Sequence, residues 1–114
     1  MENIEIDKPV SYRLEITVVS QDWYNNIGVA ETTKYVDEKE LNDIRKNALR
    51  DYIEFGVQNV LMVDISVYPI YMTDKYRIES IEEYERIEQH INNKDLYDKA
   101  IDAYDQYFND SIKA

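Results

Sequence analysis

Along residues 12–19 (YRLEITVV), Tyr12, Leu14, Ile16 and Val18 alternate with Arg13, Glu15 and Thr17. A period of two predicts a half-buried strand. Turn-forming residues follow from Gln21 to Asn26, with Trp23 and Tyr24 among them. Residues 27–36 (IGVAETTKYV) then read as a second strand rich in β-branched side chains. A hairpin is expected from the pair. The period then lengthens. Asp37 and Glu40 have the spacing of a capping box, and Val36 with Leu41 that of a hydrophobic staple. A helix is predicted from Glu38 to Phe55, with Leu41, Ile44, Ala48, Tyr52 and Phe55 as its buried stripe and Gly56 as its stop.

Alternation returns over 59–68 (NVLMVDISVY), with Leu61, Val63, Ile65 and Val67 inward and Asp64 and Ser66 on the exposed side. Pro69 ends or edges that strand. Ser80 and Glu83 form a second capping box, which predicts a helix on Ile81, Tyr84, Ile87 and Ile91, broken at Asn92 and Asn93. A last helix runs from Lys94 to Ser111, burying Leu96, Tyr97, Ala100, Ile101, Tyr104 and Phe108. The predicted order is β-β-α-β-α-α. It implies a single α+β domain over residues 1–114, with a small, mainly antiparallel sheet of about three strands packed against helices. The strand after the first helix is free to pair in either direction on this reading.

Composition narrows the class. The chain has 114 residues, enough for one core, and 11 tyrosines, unlike an acidic disordered tail. Two glycines and two prolines point to short connections. The absence of cysteine excludes disulfides and thiolate metal sites and fits a reducing cytosol. Residues 1–9 hold three acids and no apolar run, unlike a secretory signal, and no segment has the length and apolarity of a membrane span. A cytoplasmic location in a bacterial host cell is expected.

Chemistry finds little purchase. The single histidine, His90, stands beside Gln89 on a predicted charged helix and is assigned no role. Gly28 and Gly56 are isolated and build no phosphate-cradling loop. No calcium-loop pattern of alternating acids around a glycine occurs. No enzymatic activity, cofactor or metal is expected.

Charge is the feature above background. The chain has 24 acids against 13 bases, a formal charge of −11. Such a charge repels nucleic acid and anionic lipid and attracts basic proteins, so neither direct nucleic-acid binding nor membrane binding is expected. Asp95, Asp98, Asp102 and Asp105 recur at steps of three, four and three residues, which puts four carboxylates on one strip of the last helix. Their axial spacing, roughly 4.5–6 Å per step, is comparable to the ~3.4 Å rise per phosphate of a nucleic-acid strand plus its lateral sweep. Glu82, Glu85 and Glu88 recur in the same way on the helix predicted before it. Amphipathic helices commonly carry solvated acids, but they interleave signs at i, i+4, and this stripe does not. Tyr24, Tyr68, Tyr71, Tyr76 and Tyr107 fall where the pattern does not bury them, and tyrosine is enriched at interfaces.

A short, cysteine-free, strongly acidic domain rich in Tyr, Asn, Ile and Asp resembles the accessory proteins of phages and mobile elements. Within that class it is similar to small inhibitors of host defence nucleases, the anti-CRISPR proteins and antirestriction DNA mimics. The resemblance implies a stoichiometric inhibitor, monomeric or homodimeric, that occupies the place where a Cas effector reads its protospacer-adjacent duplex, a pocket of arginines in a positive channel. Asp95, Asp98, Asp102 and Asp105, with Glu82, Glu85 and Glu88, are the candidate partner-binding residues. An immunity protein neutralising a basic toxin nuclease, or a phage structural or regulatory interaction domain, would share size and charge, and the choice stays open at this level.

Overall fold

The computed structural model describes residues 8–51, 59–73 and 75–113. The first hairpin forms as the alternation predicts, from β1 (Ser11–Gln21) and β2 (Ile27–Val36) in continuous antiparallel register. Its turn is built by Asp22, whose Oδ1 accepts the backbone N–H of both Tyr24 and Asn26 at 2.8 Å. Asn25 takes the left-handed conformation (φ 66°) that asparagine tolerates. These backbone donors hold the Asp22 carboxyl below its ordinary range, the bond from Asn26 foremost.

Helix α1 (Glu38–Asp51) starts at Asp37, whose Oδ1 accepts the Glu40 N–H at 2.8 Å. The reciprocal half of the capping box does not form, because Glu40 is drawn to Lys34 of β2 at 2.8 Å. The predicted stripe residues Tyr52 and Phe55 and the stop at Gly56 lie outside the described residues.

Strand β3 (Asn59–Met72) is longer than the alternation predicts and pairs antiparallel with β1, so β2, α1 and β3 make a crossover that straddles β1. It continues through Pro69, which lies between the two strands on β3's outer side, β5 (Glu85–His90), reaching Val67, and β4 (Arg77–Glu79), starting at Ile70. No ladder bond is lost there, and the Pro69 carbonyl accepts the Ser80 N–H at 2.9 Å. The sheet order is β2-β1-β3-β4, with β5 beside β4 along β3. The last element is α2 (Lys94–Lys113), capped by Asn93, whose Oδ1 accepts the Leu96 N–H at 3.1 Å.

One predicted element is overturned. The segment expected as a helix on Ile81, Tyr84, Ile87 and Ile91 forms a turn and then β5, and the order becomes β-β-α-β-β-β-α. The local signal was real. Glu83 N–H donates to Ser80 Oγ at 3.3 Å, and the Ser80 hydroxyl donates back to Glu83 at 3.3 Å, but the bonds close a turn without propagating. The reason lies in β3. Almost every residue from Leu61 to Val67 is buried, so the strand is covered on both faces and its outer backbone groups must be paired. Several ladder bonds there outweigh helix propensity differences of about 0.7 kcal/mol per residue or less.

Helices cover both faces. Leu14, Ile16, Val18, Val63, Ile65, Val67 and Ile87 pack with Leu41, Ile44 and Ala48 of α1. Val19, Leu61 and Met62 pack with Ala100 of α2, flanked by Leu96, Tyr97, Ile101 and Tyr104. The exposed position expected for Asp64 is therefore corrected: α2 covers that face, and Asp64 is only 8% exposed.

Candidate interaction surface

Three tyrosines pin α2 to the sheet. Tyr97 donates to Glu88 of β5 at 3.3 Å, Tyr104 to Asp64 of β3 at 2.6 Å, and Tyr107 to Glu31 of β2 at 2.7 Å. The register makes these acceptors neighbours. Glu88 stands opposite Asp64, Asp64 opposite Thr17, and Thr17 opposite Glu31, a single row across four strands. Three strand spacings of ~4.8 Å make roughly 14 Å, and ten helical residues rise roughly 15 Å. The helix therefore runs across the strands, its tyrosines keeping step with the row beneath. Each phenol is pushed above its ordinary range. Burial is the main cause at Tyr97 and Tyr104, with the neighbouring carboxylate second, and at Tyr107 the bond to Glu31 leads.

Asp64, at the middle of the row, also accepts a bond from Arg86 Nε at 2.8 Å. Arg86 comes within 3.5 Å of Glu88 as well. A covered carboxylate thus has a phenol on one oxygen and a guanidinium on the other, as its desolvation requires.

With the tyrosines turned to the sheet, the opposite side of α2 faces outward. Asp95, Asp98, Asp102 and Asp105 are all exposed there, on one strip, as the spacing predicts. Lys94 reaches Asp98 at 2.9 Å, an i,i+4 pair on the flank. The three glutamates are not assembled with them. Glu82 is exposed in the turn between β4 and β5. Glu85 and Glu88 are three residues apart on a strand and so point to opposite faces. Glu85 is gripped by the Arg45 fork of α1, and Glu88, though exposed, accepts from Tyr97 of α2 and lies 3.5 Å from Arg86.

Tyrosines other than those of α2 divide between internal contacts and open surface. Beyond α2 on the same sheet face, Arg13 holds Glu79 through Nε (2.8 Å) and Nη2 (2.7 Å) and Glu15 through Nη1, and lies 4.5 Å from the Tyr68 ring centre. Those carboxylates raise the Arg13 pKa, and the Arg13 bond lowers that of Glu79. Tyr68 stacks on Tyr84, and Tyr71 donates to Glu83 at 2.6 Å. Trp23 and Tyr24, at the hairpin tip, are 79% and 83% exposed, and Tyr76 is exposed beside β4.

His90 lies on β5, not on a helix. It is exposed, with its ring 4.1 Å from that of Tyr97. No group of three or more His, Asp or Glu side chains among the described residues converges on a point where a metal ion would sit, and no helix among them is long and apolar enough to cross a membrane. The chain matches no protein-family model, and searches of curated proteins and of solved structures give no match.

Proposed function

We propose that this protein is a non-catalytic inhibitor that binds a basic nucleic-acid enzyme, most simply a Cas effector, and occupies the groove in which the enzyme reads its duplex. The observation that carries this reading is the strip of four exposed aspartates on a helix whose other side is bolted to the sheet. Held on a fixed rod, carboxylates spaced roughly 4.5–6 Å apart along the axis meet arginine forks without first losing the freedom of a loose segment. The protein's net charge of −11 would speed the encounter. Glu82, exposed in its turn, remains available to such a partner, whereas Glu85 and Glu88 are committed within the fold.

The test is displacement of labelled duplex DNA from a panel of RNA-guided, restriction and toxin nucleases. Wild-type protein should displace the duplex from one class. The Asp98→Lys/Asp102→Lys protein should need at least about tenfold more, a loss of about 1.4 kcal/mol or greater. Displacement of nothing, or equal displacement by the variant, would refute the reading. A response confined to the toxin nucleases would identify an immunity protein.

A further inference from the structure

The strongest unassigned feature outside the aspartate strip is the free edge of β2. Among the described residues β2 pairs with β1 alone. The hairpin bond from Asp22 N–H to the Asn26 carbonyl fixes which residues face which way. Counting by twos along the register, Gly28, Ala30, Thr32, Lys34 and Val36 exchange ladder bonds with β1. Val29, Glu31, Thr33 and Tyr35 therefore aim their N–H and C=O groups outward.

Edge strands are usually blunted by shortness, proline, a bulge or protruding lysines. The outer edge of β5 follows that rule, being six residues long and charged (ERIEQH). β2 does not. It has ten residues, no proline and no register shift against β1, and its one base, Lys34, is drawn to Glu40.

A second observation concerns α2. The helix reaches β2 at the Tyr107–Glu31 bond and continues to Lys113. Six further residues carry its backbone ~9 Å onward, about two strand spacings beyond the last strand of the sheet. The helix overhangs a place where no strand lies among the described residues. The surroundings are acidic: Glu31 and Glu15 line a shallow depression with Thr32 and Thr33, and Asp110 is exposed near the end of the helix.

We infer that β2 and the overhanging end of α2 form a docking site for an extended segment of a partner protein, in which basic side chains alternate with apolar ones. The segment adds as a strand to β2 through the outward groups of Val29, Glu31, Thr33 and Tyr35. Its basic side chains meet Glu31 and the acids beside it, and its main chain lies under the last turns of α2. A basic partner is common to this inference and to the reading above, but the two surfaces are distinct and can fail separately.

The probe is a blocked nine-residue peptide of alternating lysine and valine, with its glutamate-for-lysine counterpart as control. Hydrogen exchange followed by NMR should show the amides of Val29, Glu31 and Thr33 protected on adding the lysine peptide, and not on adding the control. Thr33→Pro removes an outward donor while sparing the ladder to β1, and should weaken peptide binding by about tenfold or more with no change in charge. Unchanged affinity in Thr33→Pro, or no protection at those amides, would reduce the binding to general attraction and overturn the proposal. If Thr33→Pro loses the fold by circular dichroism, the wild-type exchange pattern decides alone. Protection already present in the free protein, with a dimer in sedimentation, would assign the edge to a second copy and likewise overturn it. The Asp98→Lys/Asp102→Lys protein should keep the protection pattern even where it no longer displaces duplex.

Discussion

Asp64 shows how this acidic chain tolerates a carboxylate under a helix. Tyr104 and Arg86 each satisfy one of its oxygens, so removing either leaves a covered acceptor without its partner. Tyr104→Phe should therefore destabilise the fold by about 1.5–3 kcal/mol, the range for a hydrogen bond to a charged group, readable as a lower urea midpoint. The same tyrosines give a pH dependence of defined sign. Tyr97, Tyr104 and Tyr107 all have raised folded-state pKa values, so their contribution is fully present below the unfolded value, about 10, and is lost as pH rises through the folded values. In a spectrophotometric titration of the 11 tyrosines, these three should be among the late-ionising group, with Tyr12, whose phenol burial also pushes up, and their ionisation should accompany release of α2. Titration of all of them in one transition near the ordinary phenol value, with the fold intact, would contradict this.

At the scale of elements, α1 carries a kink at Asn47 (φ −131°, ψ 16°), and its cause is visible. Gln89 of β5 accepts the Leu49 N–H at 3.0 Å through its side-chain oxygen and donates to the Arg45 carbonyl at 2.6 Å through its nitrogen. Those two backbone groups would bond each other in a straight helix, and a side-chain amide stands between them. Gln89→Leu should let α1 straighten or leave both groups unsatisfied. Exchange at the Leu49 amide should rise in the second case and the Cα shifts around Asn47 should become helical in the first. Unaltered shifts and exchange would show the bracket to be idle. The same strand marks the boundary of what the sequence reveals. The β1–β2 hairpin was legible because alternation and turn chemistry agree at short range. Residues 81–91 were not, because an apolar spacing of three and four and a genuine Ser80–Glu83 turn point locally to a helix. The deciding demand comes from the unpaired side of β3, well back in the chain. The near-continuous apolar run of β3 was the sign that both its faces are covered and that it needs strands on both sides.

Taken whole, the molecule separates its acids by use. Glu31, Asp64, Glu79, Glu85 and Glu88 are engaged by phenols or guanidiniums within the fold. The aspartates of α2 stand outside, with Asp98 paired to Lys94 on the flank of the strip. The strip was legible because a helix's faces follow from spacing alone. The direction of α2 across the strands was not, because it depends on a row of carboxylates assembled by register from three separate strands. The engagement proposed for this strip, with a basic nucleic-acid enzyme, is electrostatic. Its most direct measurement is the association rate with the nuclease whose duplex the protein displaces, for wild type and Asp98→Lys/Asp102→Lys, over a range of salt. The wild-type rate should fall steeply as salt rises, and the variant's should be slower and flatter, since exposed charges act at long range only when unscreened. Equal rates and equal salt slopes for the two proteins would contradict it.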